Sequence, residues 1–75
     1  MIEIELKLMG TLKSRFREGR LELPDDATIA DALELLEVPP KAVQTCTVNG
    51  KFIHDRSHRL ADGDELTLLP PVGGG

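Results

Sequence analysis

Neither tryptophan nor tyrosine occurs in this 75-residue chain, and its only aromatic side chains are Phe16 and Phe52. A core built from it must rest on Leu, Ile and Val rather than on stacked rings. Cys46 is the single cysteine, so no internal disulfide can form, which favours a reducing, intracellular setting. No apolar run approaches the roughly 20 residues that span a bilayer. The opening "MIEIELKL" alternates charged with apolar residues and resembles neither a signal nor a transit peptide. A cytoplasmic location without a membrane partner is expected. Basic residues are also short, nine against thirteen acidic ones, for a net charge of -4 at pH 7. Nucleic-acid binders carry a basic excess, so no nucleic-acid partner is expected.

What remains is a chain of 40% hydrophobic residues, too apolar for disorder and long enough for one small domain. The stretch "IEIELKL" places Ile2, Ile4, Leu6 and Leu8 on one face and Glu3, Glu5 and Lys7 on the other. Strict period two of this kind is a strand with one wet face. A connection, "MGTLKSRFREG", leads to "RLELP", where Leu21 and Leu23 alternate with charge and Pro24 stops the ladder. The two strands most simply pair antiparallel.

"DDATIADALELLEV" reads as a helix of about two to three turns. Thr28 and Asp31 approximate a capping box, Asp25 and Asp26 add charge near the helix start, and Ile29, Leu33 and Leu36 fall at helical spacing. Pro39 and Pro40 are expected to end it. "VQTCTVNGKFI" follows as a strand, an Asn49-Gly50 turn and a short strand. "LADGDELTLL" then supplies a turn with Gly63 in a left-handed position and a final strand carrying Leu66 and Leu68. Strand, strand, helix, strand, strand, strand points to a two-layer α+β domain, with a mixed sheet of four to five strands and one main helix packed across it. If the last strand returns beside the first, this is the β-grasp, or ubiquitin-like, fold, an order taken by analogy. The domain is expected over 1–69, with a flexible tail over 70–75.

Three other constellations have plainer readings. Cys46, His54 and His58 match no common zinc spacing, and Cys46 reads as a small buried hydrophobe. Asp55, Ser57 and His58 are neighbours on a short loop that cannot easily converge as a hydrolase triad. Lys13, Arg15, Arg17 and Arg20 surround Phe16, and they read as a solvated connection with Phe16 packed back on the core. RNA and an acidic partner surface are the alternatives there.

In the last third, Val48-Asn49-Gly50, then Leu60, Asp62-Gly63-Asp64-Glu65, and a closing Gly74-Gly75 occur in order. With the order of elements, this pattern resembles the MoaD/ThiS family of sulfur carriers, which includes the small subunit of molybdopterin synthase and the thiamine-biosynthesis carrier. The resemblance implies a protein cosubstrate rather than an enzyme, with no bound cofactor or metal. A ubiquitin-activating-type adenylating enzyme would consume ATP to activate the Gly75 carboxylate, which then becomes a thiocarboxylate. It also implies a sulfurtransferase or cysteine desulfurase as partner, and molybdopterin synthase large subunit or thiazole synthase as acceptor. Pro70 and Pro71 lean toward molybdopterin; Gly73 and the short "VPPKAV" lean toward thiamine. A ubiquitin-like modifier joined to lysines and a β-grasp binding module are the alternatives.

The tail suits that chemistry. Gly73 and Gly74 carry no Cβ and fit a narrow channel, while Pro70 and Pro71 hold its base extended. From Leu69 to Gly75 the extended chain reaches on the order of 20 Å. Leu69, Pro70, Pro71 and Val72 would form an apolar collar for a partner, and Phe52 would extend that patch or else belong to the core.

Overall fold

The alternation at the start of the chain becomes strand β1, Ile2–Leu8, with Ile4, Leu6 and Leu8 buried and Glu3, Glu5 and Lys7 exposed. The structure is a computed structural model and describes residues 1–71. After β1 come α1 (Thr11–Arg15), β2 (Gly19–Leu23), α2 (Ile29–Leu35) and a 3-10 turn at Pro40–Ala42. The strands β3 (Thr45–Val48), β4 (Lys51–Ile53) and β5 (Glu65–Leu69) complete the described part.

Five strands form one sheet in the order β2-β1-β5-β3-β4. β5 lies parallel to β1, Glu5 opposite Glu65 through Leu8 opposite Leu68, and antiparallel to β3. The outer pairs, β1 with β2 and β3 with β4, are antiparallel hairpin partners. α2 closes the buried face with Ile29, Ala32 and Leu33, which join Ile4, Leu6, Leu8, Cys46, Leu66 and Leu68 in one core. This is the β-grasp arrangement. Burying a leucine side chain completely contributes about 1.5–3 kcal/mol, and β5 buries two at 0% exposure, Leu66 and Leu68.

α2 starts as its sequence implies. The Thr28 hydroxyl accepts from the Asp31 N–H at 3.2 Å, and the Asp31 carboxylate accepts from the Thr28 N–H at 3.0 Å. Its end differs from expectation. The helix stops at Leu35, before Pro39, because Glu37 takes a left-handed φ of 58°. That conformation lets the Val38 N–H reach the Leu33 carbonyl and the Glu37 N–H reach Glu34, each at 3.0 Å. The pattern is a Schellman motif, with Glu37 where glycine is usual.

A second difference lies between Met9 and Gly19, expected as an irregular connection. Thr11–Arg15 forms a short helix there, and its one buried side chain, Leu12, drops into the core at 2% exposure. Five residues with a single buried position and no side-chain cap leave no period to read. Phe16 does pack back on the core, half-buried.

Left-handed residues generate a pair of opposite outcomes. A non-glycine residue in that region is strained by about 1–2 kcal/mol, so Glu37→Gly should stabilise the fold by about 0.5–1 kcal/mol after glycine's extra unfolded-state entropy. Gly63, at φ 86°, has nothing within 4 Å of a built Cβ. Gly63→Val should therefore destabilise by about 1–3 kcal/mol through backbone strain without a clash. Thermal unfolding checks both; a melting temperature unmoved by Gly63→Val would contradict the turn geometry.

Candidate docking face and the base of the C-terminal tail

The side chains of a strand alternate, so the sheet has an inner and an outer row at every register. Leu8, Leu68, Cys46 and Ile53 pair across four strands and face the core. One residue along, Lys7, Thr67, Thr47 and Phe52 form the matching outer row. Phe52 is 67% exposed, which removes the core alternative for it. Leu69 pairs with Thr45 in the next outer row and is half-buried. The structure thus brings Leu69 and Phe52 to one face, among threonines, with a Lys7–Glu65 ion pair of 3.2 Å on the same side.

β5 is fixed at both ends. At its start the Asn49 side chain donates to Asp64 Oδ1 and accepts from the Glu65 N–H, both at 2.9 Å. Asp62 Oδ1 accepts from the Glu3 N–H, and the Gly63 N–H donates to the Glu3 carbonyl, both at 2.8 Å. The Asn-Gly turn at φ 53° and 84° is therefore joined to the Asp-Gly turn as well as closing its own hairpin. Turn propensity announces each of these elements, but their joining is a long-range contact without a local signal.

At its far end the Leu68 carbonyl accepts from Met9 and the Leu69 carbonyl from Gln44, at 3.1 and 2.9 Å. Pro70 has no N–H to continue the ladder. It is half-buried, and its ring lies over Gly10, where a Cβ would come within 3.0 Å of Pro70 Cγ. Gly10 also has φ 56°, so both backbone and space call for glycine. Sequence reasoning missed Gly10, since nothing local to "MGT" points sixty residues ahead. Pro71 is exposed. Val72, Gly73, Gly74 and Gly75 lie outside the described residues.

The remaining candidates have structural roles. Cys46 is 0% exposed; burial pushes its thiol up, against a smaller pull from Arg56. Asp55 caps its own turn, accepting from the Ser57 N–H and hydroxyl. Those bonds, the hydroxyl's first, lower its carboxyl below the usual range. Among the described residues no cluster of three or more His, Cys, Asp or Glu could hold a metal ion, and no helix is long and apolar enough to cross a membrane.

A five-stranded mixed sheet whose last strand is central and which is covered by a helix is the arrangement of the ubiquitin-like class. Residues 6–75 match the model of the ThiS family, and the chain belongs to that family. A search of curated proteins gave no match. The crystal structure of SAMP1 from Haloferax volcanii is similar at 30% identity and TM-score 0.77, covering 97% of this chain and 99% of that one. A second crystal structure, of H. volcanii small archaeal modifier protein 1, gives 28% identity and TM-score 0.77, covering 96% and 100%. A chain of the protein-protein complex of subunit 1 and 2 of molybdopterin-converting factor from Helicobacter pylori shares the fold. Its TM-score is 0.71 at 24% identity, with 99% and 100% covered.

The buried thiol generates a prediction. A neutral thiol is a poor nucleophile, so a thiol-alkylating reagent should label Cys46 only once the chain unfolds. A folded-state pKa raised above the unfolded one gives stability that is complete below the ordinary thiol range and lost as pH rises through the raised value. Stability should accordingly decline on the alkaline side in wild type and less in Cys46→Ala. Rapid labelling of the native protein would contradict this placement.

Proposed function

We propose that this protein is a cytoplasmic sulfur carrier whose working group is the Gly75 carboxylate. The observation that carries the reading is the hand-over from β5 to the tail. The last strand lies between β1 and β3, its final carbonyl is held by Gln44, and Pro70 is seated on Gly10. A sheet-anchored origin gives the tail a fixed starting point while leaving its end free to enter another protein. The domain 1–69 acts as the handle and 70–75 as the arm.

In the activating step a carboxylate oxygen of Gly75 attacks the α-phosphorus of ATP on a partner enzyme, and pyrophosphate leaves. The terminal sulfur of a persulfide, carried by a sulfurtransferase or cysteine desulfurase, then attacks the acyl carbon and expels AMP. A thiol reductant cleaves the resulting acyl disulfide, leaving the thiocarboxylate and a new disulfide. Leu69, Pro70, Pro71, Val72 and Phe52 are the collar a partner grips, and Gly73 and Gly74 let the carboxylate pass through a narrow channel. The H. pylori subunit 1 occurs in a complex with subunit 2, and we assign this chain a large-subunit partner of that kind, with molybdopterin as the favoured product and thiamine thiazole the alternative.

The SAMP1 likeness at 30% identity favours one second reading, a ubiquitin-like modifier joined through Gly75 to lysines. Intact mass after incubation with the adenylating enzyme, ATP and a sulfur source separates them. The carrier reading expects one oxygen replaced by sulfur, mapped to the last peptide. Isopeptide adducts on lysines would favour the modifier, and sulfur found only on Cys46 would overturn the carrier.

A further inference from the structure

Four of the nine basic residues, Lys13, Arg15, Arg17 and Arg20, fall within eight positions, with Glu18 the one acid among them. From Glu22 to Glu37 six acids follow with no base. The chain is therefore electrically lopsided, a positive segment on a molecule of net charge -4. All four cations are exposed. Lys13 and Arg20 stand 3.7 Å from Glu18 and Glu3 with side chains 67% and 82% exposed, loose contacts in which most of each cation still faces water. Arg15 lies over the Phe16 ring, 5.8 Å from its centroid. Arg17 has no ion pair among the described residues. The fold does not need these charges.

Their position gives them a use. α1 begins at the base of the tail: the Lys13 N–H donates to the Gly10 carbonyl at 3.1 Å, and Gly10 carries the Pro70 ring. Arg20 is directed away from that end, toward Glu3. We propose that Lys13, Arg15 and Arg17 form a docking patch for an acidic surface of the activating enzyme, beside the entrance that takes the tail. The proposal rests on the carrier reading above. Guanidinium groups pair in forks with carboxylates, and opposite patches raise the rate of encounter. Because α1 starts at Gly10, under Pro70, the attraction that brings the proteins together also points the tail at its entrance.

Two other occupants fit less well. RNA recognition on such a segment needs a free aromatic face for base stacking, and Phe16 is half-buried with Arg15 over its ring. A second copy offers the acidic run Glu22–Glu37, but pairing with it would not direct the tail to an activating enzyme.

The test is the double variant Arg15→Glu/Arg17→Glu, assayed as full chain in ATP-dependent adenylation by the cognate enzyme at low and high salt. KM should rise roughly tenfold at low salt with kcat unchanged. The difference should shrink at high salt, where exposed charges are screened, and Arg15→Lys/Arg17→Lys should restore most of the wild-type KM. An unchanged KM, a loss confined to kcat, or a loss independent of salt would each overturn the patch while leaving the carrier reading standing. A wild-type chain that is not adenylated at all would remove the carrier reading, and the patch with it. Self-association abolished by the double variant, seen in sedimentation, would assign the charges to a second copy instead.

Discussion

The parallel pairing of β5 with β1 is the constraint on which the rest depends. It joins residues some sixty positions apart, Glu5 with Glu65 through Leu8 with Leu68, and so closes the chain on itself. It puts the last strand in the interior of the sheet, buries Leu66 and Leu68 completely, and gives the tail an origin with neighbours on both sides. If β5 were an edge strand, one partner fewer would hold it and the tail would start from a frayed margin. Long-range parallel pairing carries a loop-closure cost, and the contacts between the Asn49 turn and the Asp64 turn help to offset it.

That constraint also divides the surface. The inner row of each strand faces α2, so the outer row is left open, with Phe52 exposed and Leu69 at the exit of the tail. Apolar side chains on an open sheet face beside a chain end suit a partner that covers the face and receives the end. The basic segment starts at the same exit, where the Lys13 N–H donates to the Gly10 carbonyl beneath Pro70. In the proposed complex, apolar contact would give affinity and charge steering orientation.

Much of this was legible locally. The alternation of residues 2–8, the Thr28–Asp31 capping box, the Asn49-Gly50 turn and the left-handed Gly63 each depend on a few adjacent residues, and each is found. What escaped was either too short or too distant. α1 has one buried residue and no cap. The helix end at Glu37 defies glycine preference and so hid behind Pro39. Phe52 lies in a three-residue strand whose parity follows from pairing with Thr47, and Gly10 matters only because Pro70 arrives from the other end of the chain. The central place of β5 was reached by analogy. The chemistry proposed for Gly75 rests on family membership.

The most direct test of that chemistry is Gly74→Val, with melting and adenylation measured on the same preparation. Gly74 has no side chain for the core to lose, so melting should hardly move. A branched side chain in a channel shaped for bare backbone should displace the carboxylate, and a displacement of about 1 Å can slow reaction on the order of a hundredfold. The account predicts wild-type melting with adenylation reduced by at least that factor. Wild-type melting with undiminished adenylation would contradict it.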